Sequence, residues 1–593
     1  MVYLTLSCVL LAACSGPRQE VHAPPPQVAV SPDTQVTSGE TSQQSSATAP
    51  LTPAAIAETT LIRANHNQRQ EVDGPVRNEI RMATQDAAST SVGNYVNPKD
   101  YVTDYYGHQE SRENYLAVDV SSVKRVDIEP VSTFSIDVDT AAYSNLRRIL
   151  TRDGSLPPHD AVRIEEMINY FDYDYAAPDN LDKPLAIHTE LMASPWNSAN
   201  QLLLVGVKGY EQPQDTRPPA NLVFLIDVSG SMQSPDKLGL VKSSLQLLVS
   251  QMTANDRIAL VVYAGAAGVV LDSTTADNKA DITRALEALE AGGSTNGSAG
   301  IELAYRIAEA NLIKGGINRV LIASDGDLNV GVTSIDELKE LVSKKRDNGV
   351  ALTTLGYGTG NYNYSLMEQL ADVGNGNAAY IDTLSEARKV LVEEMQSTLL
   401  TIAKDVKIQI EFNPALVSEY RLIGYENRLL AQEDFRNDKV DAGEIGSGHT
   451  VTALYEISLK GSMGALLPDS RYAPQTPAAF AVSSELAYVN IRYKLPAATA
   501  STEFGVAVAA AASSGDNAYN HAHNNAEASS NIRFAAAVAG FGQLLQGGKY
   551  TRDWSYDQLL ELARQARGDD PHGYRSELLK LVELAGALQT SLY

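Results

Sequence analysis

The chain has 593 residues, too many for a single hydrophobic core, so two to four domains are expected, and its 44% apolar content is that of a globular protein. With 47 Lys and Arg against 72 Asp and Glu the formal net charge is -25, which repels nucleic acid and anionic lipid headgroups and argues against a nucleic-acid role. Such acidity suits cation binding and also serves simply to keep a protein soluble.

Both cysteines, Cys8 and Cys14, lie near the start, so no disulfide or Cys-based zinc site can form further along. Residues 1–13 are a short apolar run, too brief to span a bilayer and suited to a signal peptide. The run ends in Leu11-Ala12-Ala13-Cys14, which resembles a bacterial lipobox. That resemblance implies cleavage before Cys14, diacylglycerol on its thiol and acylation of the new amino terminus. Several buried acyl chains, at roughly 0.8 kcal/mol per methylene, make a durable membrane anchor. Ser15 stands where aspartate would mark retention in the inner membrane of enteric bacteria, so the outer membrane, facing the periplasm, is expected.

Residues 14–100 read as a disordered tether. Pro, Ser, Thr, Gln and Ala dominate it, Tyr95 is its only aromatic residue, and such a stretch cannot offset its ordering entropy. A stalk that contacts glycan or peptidoglycan is the alternative.

Residues 101–218 form an N-terminal region. A strand is predicted over 133–140, helices over 141–150 and 162–170, and two strand-like pieces over 185–207, around Pro195-Trp196. Asp137 and Asp139, two apart on one strand face, are a conceivable metal pair, although such pairs are more often a solvated or capping face.

Residues 219–400 alternate strand and helix with short loops, the pattern of a mostly parallel, doubly wound α/β sheet. The run 222–226 is continuously apolar, as a strand buried on both faces should be. Leu238, Val241, Leu245, Leu248 and Met252 repeat at helical steps, and further strands are predicted over 258–264, 320–323, 352–356 and 378–381. In such folds ligands gather beyond the carboxyl ends of the strands.

Over residues 401–500 strand patterns return, at 406–412, 450–459 and 486–493. Joined to 185–207 they predict one β-sandwich into which the α/β domain is inserted. Residues 501–593 are expected to be helical, with amphipathic segments at 532–545, 556–567 and 574–588. The polar stretch 513–531 holds His521 and His523, a pair that would need a third ligand to bind metal.

Three loops carry the chemistry. Asp227-Val228-Ser229-Gly230-Ser231 follows the first strand of the α/β part, Gly292-Gly293-Ser294-Thr295-Asn296-Gly297 precedes a helix, and Ser324-Asp325-Gly326-Asp327 follows the strand at 320–323. Any one of them alone is more often a turn or a helix cap. In this order and placement they resemble the metal-ion-dependent adhesion site of von Willebrand factor type A domains. The resemblance implies that Ser229 and Ser231 bind a Mg2+ or Mn2+ ion through their hydroxyls, and Thr295 directly or through water. It also implies that Asp227 and Asp325 supply carboxylates, often through water, and that a Glu or Asp of a protein partner completes the coordination. The residue types agree, because magnesium takes six hard oxygens and gives up its waters reluctantly, and Gly230, Gly293 and Gly326 let the loops crowd together. The flanks resemble bacterial YfbK-type lipoproteins.

Marks of an enzyme are missing. There is no His-Glu-x-x-His and no Gly-x-Ser-x-Gly, and Gly547-Gly548-Lys549-Tyr550 lacks the spacing and the Ser or Thr of a phosphate loop. No base is evident beside Ser229 or Ser231, and His449, in another domain, reads as a surface or turn residue. The expectation is a lipid-anchored envelope protein without catalysis that captures an acidic partner, with a metal-independent scaffold and a hydrolase as alternatives. The sequence leaves the oligomeric state open.

Overall fold

The computed structural model describes residues 113–117, 119–294, 296–326, 328, 334–468, 484–510, 520–522 and 528–591. The signal peptide, Cys14, the tether, Thr295, Asp327 and His523 lie outside the described residues, as does the side chain of His521. Among the described residues no helix is long and apolar enough to cross a membrane.

The chain first forms β1 (Lys124–Arg125), β2 (Val131–Ser135), α1 (Ala141–Arg148), α2 (Ile164–Asn169), β3 (Leu185–Ala193) and β4 (Gln201–Gly209). The α/β part follows as β5 (Ala220–Asp227), α3 (Leu240–Gln251), β6 (Arg257–Tyr263), β7 (Ala267–Thr275), α4 (Lys279–Glu287), α5 (Gly297–Ala310), β8 (Ile317–Ser324), α6 (Ile335–Asp347), β9 (Ala351–Tyr357), α7 (Tyr364–Val373), β10 (Ala378–Ile381) and α8 (Leu384–Arg388). Then come β11 (Thr401–Phe412), β12 (Val417–Ile423), β13 (Ile445–Gly446), β14 (Thr450–Leu459), β15 (Glu485–Lys494), β16 (Thr502–Ala509) and β17 (Asn520–Ala522). Helices α9 (Ser530–Leu545), α10 (Tyr556–Ala566) and α11 (Tyr574–Ser591) follow.

The α/β sheet has the order β10-β9-β8-β5-β6-β7, with every pair parallel except β6 with β7. Its apolar central strand divides its side chains between two cores because successive residues point to opposite faces. Leu222, Phe224 and Ile226 pack with Val241 and Leu245 of α3 on one side. Val223 and Leu225 pack with Ile301 and Ala304 of α5 on the other. Full burial of each large aliphatic side chain contributes about 1.5–3 kcal/mol, which is why this sheet is covered on both faces.

Strands on either side of the α/β part in sequence make up the sandwich. One sheet runs β1-β12-β14-β4-β3-β17 and the other β13-β11-β15-β16, with β2 also on β11. Leu203 of β4 stands opposite Tyr455 of β14, and Phe134 of β2 opposite Ile408 of β11, so each sheet needs chain from both sides of the insertion. Val205, Val207, Ile410 and Val489 fill the space between the sheets.

Some elements differ from the sequence reading. The strand expected over 133–140 spans Val131–Ser135, and Asp137 and Asp139 lie beyond it. Both are buried rather than solvated: Nη2 of Arg428 donates to each at 3.2 Å, and each also accepts from a backbone N–H, Asp137 from Asp139 and Asp139 from Ala378. β16 falls in the stretch expected to be helical and pairs with the preceding strand β15, and β17 falls in the expected polar loop and pairs with the distant strand β3. The helical cap is not only C-terminal: Tyr143 and Leu146 of α1 and Met167 of α2 share one core with Phe534, Ala537, Leu559 and Leu581.

Candidate metal centre

Strands β5, β6 and β8 are neighbours and parallel, so their carboxyl ends open at one edge of the sheet. Asp227 ends β5, and Asp325 directly follows β8. The loop after β5 is tied to the loop before α5, with Gly230 N donating to Gly293 O at 3.1 Å and Gly292 N to Val228 O at 2.7 Å. The loop after β8 closes in at Gly326, whose φ of +84° favours glycine and where a Cβ would collide with the backbone N of Asn363. Ser324 of the third loop donates to Asp227 of the first, so the three loops named in the sequence are brought together, with Thr295 outside the described residues.

The hydroxyls of Ser229 and Ser231 are 2.9 Å apart, the first buried and the second exposed. Asp227 is fully buried and already engaged: Oδ1 accepts from Ser229 N at 2.8 Å, and Oδ2 from the hydroxyls of Tyr263 and Ser324, each at 3.1 Å. Burial pushes its carboxyl above the usual range, and the nearby charge of Asp325 adds to this, while Ser229 and Ser324 oppose it. Asp325 is equally buried. Burial alone would raise it as well, but Lys237 Nζ donates to its Oδ2 at 2.9 Å and brings it below the usual range. Asn361 Nδ2 donates to the same oxygen at 3.2 Å.

Two carboxylates and two hydroxyls at one mouth form a hard-oxygen donor set of the kind that suits magnesium or manganese. Three hydrogen bonds hold the Asp227 carboxylate in a fixed orientation at this mouth. Among the described residues no three His, Cys, Asp or Glu gather to hold a metal ion. Half of the donors that do gather, the hydroxyls of Ser229 and Ser231, are neutral.

Lys237, Tyr263, Ser324 and Asn361 were not singled out by the sequence. Ser324 stands inside a quoted motif, yet nothing local marks it as a partner of Asp227. His449 lies in the turn before β14, its Nδ1 buried without a hydrogen-bond partner among the described residues.

Residues 221–397 match the von Willebrand factor type A domain, residues 109–204 match a family described as von Willebrand factor, and residues 397–588 match the C-terminal region of YfbK. The chain is 47% identical over 480 residues to the YfbK protein of Escherichia coli K12, spanning 79% of this chain and 80% of that one. The chain belongs to the YfbK family. Within it the α/β part is the type A domain, and the family's C-terminal region supplies the later strands of the sandwich and the last three helices of the cap.

More distant relatives share less. A protein of Synechocystis is 26% identical over 226 residues, 38% of this chain and 53% of that one. Human inter-alpha-trypsin inhibitor heavy chain H3 is 26% identical over 263 residues, 41% of this chain and 29% of that one. A von Willebrand factor type A structure from Catenulispora acidiphila is similar at 17% identity and a TM-score of 0.37, covering 67% of this chain and 89% of that one. For this YfbK-family chain, the type A domain points to protein–protein interaction.

Proposed function

We propose that this chain is a lipid-anchored envelope protein that holds a protein partner through a divalent cation at Asp227, Ser229, Ser231, Thr295 and Asp325. The observation that supports this best is the pair of hydroxyls 2.9 Å apart at an exposed mouth, beside two buried carboxylates, one at the end of β5 and one directly after the adjacent parallel strand β8. When bound, Mg2+ or Mn2+ would supply a strong acceptor for an anionic oxygen, here a Glu or Asp of the partner. Asp227 and Asp325 anchor the site from below, and exposed Ser231 faces the partner. Anchoring at Cys14 and residence in the outer membrane, facing the periplasm, complete the proposal.

One observation favours the metal-independent scaffold as a second reading: Asp325 is already neutralised by Lys237. Calorimetry with MnCl2 on the folded chain separates the two. The adhesion reading expects saturable binding in the parent and none in Asp227→Ala, whereas absence of binding in the parent, even with an acidic peptide present, leaves the scaffold.

A further inference from the structure

Lys237 sits at the site without belonging to the donor set. It lies in the turn Pro235–Gly239 that leads into α3, and its side chain is only 10% exposed. Nζ donates to Asp325 Oδ2 at 2.9 Å and to Asn361 Oδ1 at 3.1 Å. The methylenes lie against Gly358, whose φ is +76°, and a Cβ there would overlap them. The ammonium is thus fixed by packing as well as by charge, unlike a surface lysine, whose long side chain must be ordered to hold an ion pair.

Among the described donors the charges at the mouth can be counted: Asp227 and Asp325 together bring two negative charges, which would by themselves cancel a divalent cation. With the fixed ammonium of Lys237 beside Asp325, the same three groups and a divalent cation sum to one positive charge. An arriving carboxylate cancels it. In a buried setting of low effective dielectric such a balance is felt strongly.

We propose that Lys237 is the resident counter-charge of this site: it holds Asp325 in place, weakens the grip on a bare divalent cation, and makes tight binding depend on an anionic oxygen from a partner. This rests on the cation-binding reading above. It assigns Lys237 a positioning and selecting role through Asp325.

The test compares the folded chain with Lys237→Met, which keeps a long apolar stem over Gly358, and with Lys237→Gln as a second neutral variant, folding being checked by thermal melts. Titration with Mn2+ alone should show about tenfold tighter binding in the neutral variants than in the parent. Added acetate should strengthen Mn2+ binding in the parent and do so markedly less in the variants. Lys237→Arg, which keeps the charge, should retain the weak affinity of the parent. Equal or weaker Mn2+ affinity in both neutral variants overturns the inference while leaving the site intact if Asp227→Ala still abolishes binding. No Mn2+ binding in parent and variants alike overturns both.

Discussion

Arg428 Nη1 donates to Asp372 Oδ2 at 2.7 Å, tying the loop after β12 to helix α7 of the inserted domain. The same guanidinium reaches Asp137 and Asp139 at 3.2 Å and Glu368 at 3.5 Å. One cation therefore serves four carboxylates from two segments, and the insertion is clasped to the sandwich at this point. Removing it in Arg428→Met leaves buried carboxylates unpaired, and a loss of about 3–5 kcal/mol is expected in urea unfolding. A loss well below that would show that the clasp contributes little.

The same cluster predicts a pH dependence. Burial pushes Glu368 up to about 7 and Glu165 up to about 8, from an ordinary value of 4.5, and it also raises Asp139 and Glu166. Arg163, 3.9 Å from Glu368, and Arg428 oppose these shifts in Glu368 without cancelling them. Because these groups bind protons more tightly when folded, their contribution is fully present below about 4.5 and is lost as pH rises through 7 and 8. The melting temperature should fall between pH 5 and 8, and Glu368→Gln should flatten part of that fall. A parallel slope in the variant would remove Glu368 as a cause.

Gly326→Ala should disturb the site without deleting a donor. The residue has φ +84°, and a Cβ would strike the backbone of Asn363. Strain of about 1–3 kcal/mol is expected, together with weaker Mn2+ binding as Asp325 is displaced. Parent-like affinity would mean that the loop tolerates the shift.

Cys14→Ser should yield a protein that no longer partitions with membranes. Retention of the variant in the detergent-extracted membrane fraction to the parent's extent would exclude Cys14 as the anchor, and sucrose gradients showing the parent in the inner membrane would overturn the outer-membrane proposal.

A fragment of residues 401–593 should not fold cooperatively alone. It lacks β2, β3 and β4 from the sandwich, and α1 and α2 from the helical core. A sharp calorimetric transition in that fragment would contradict the shared cores.

What could be read from the sequence was local. The apolar run of β5, the helical steps of α3 and the order of Asp227, Ser229, Ser231 and Asp325 after their strands depend on neighbours a few residues away, so periodicity and motif revealed them. The alternation in β3, β4, β11 and β14 likewise implied a sandwich with an insertion. β17 stayed hidden because its partner β3 lies far away in sequence, whereas Phe504, Val506 and Val508 of β16 alternate as a strand should beside the preceding strand β15. Lys237 meets Asp325 across 88 positions, Ser324 meets Asp227 across 97, and Arg428 meets Asp137 across 291. No spacing rule reaches that far. Which charges neutralise one another, and hence whether a buried carboxylate is a clasp or one wall of a cation site, was decided only when the sheets and helices packed, since Coulomb interactions depend on distance in space and on burial.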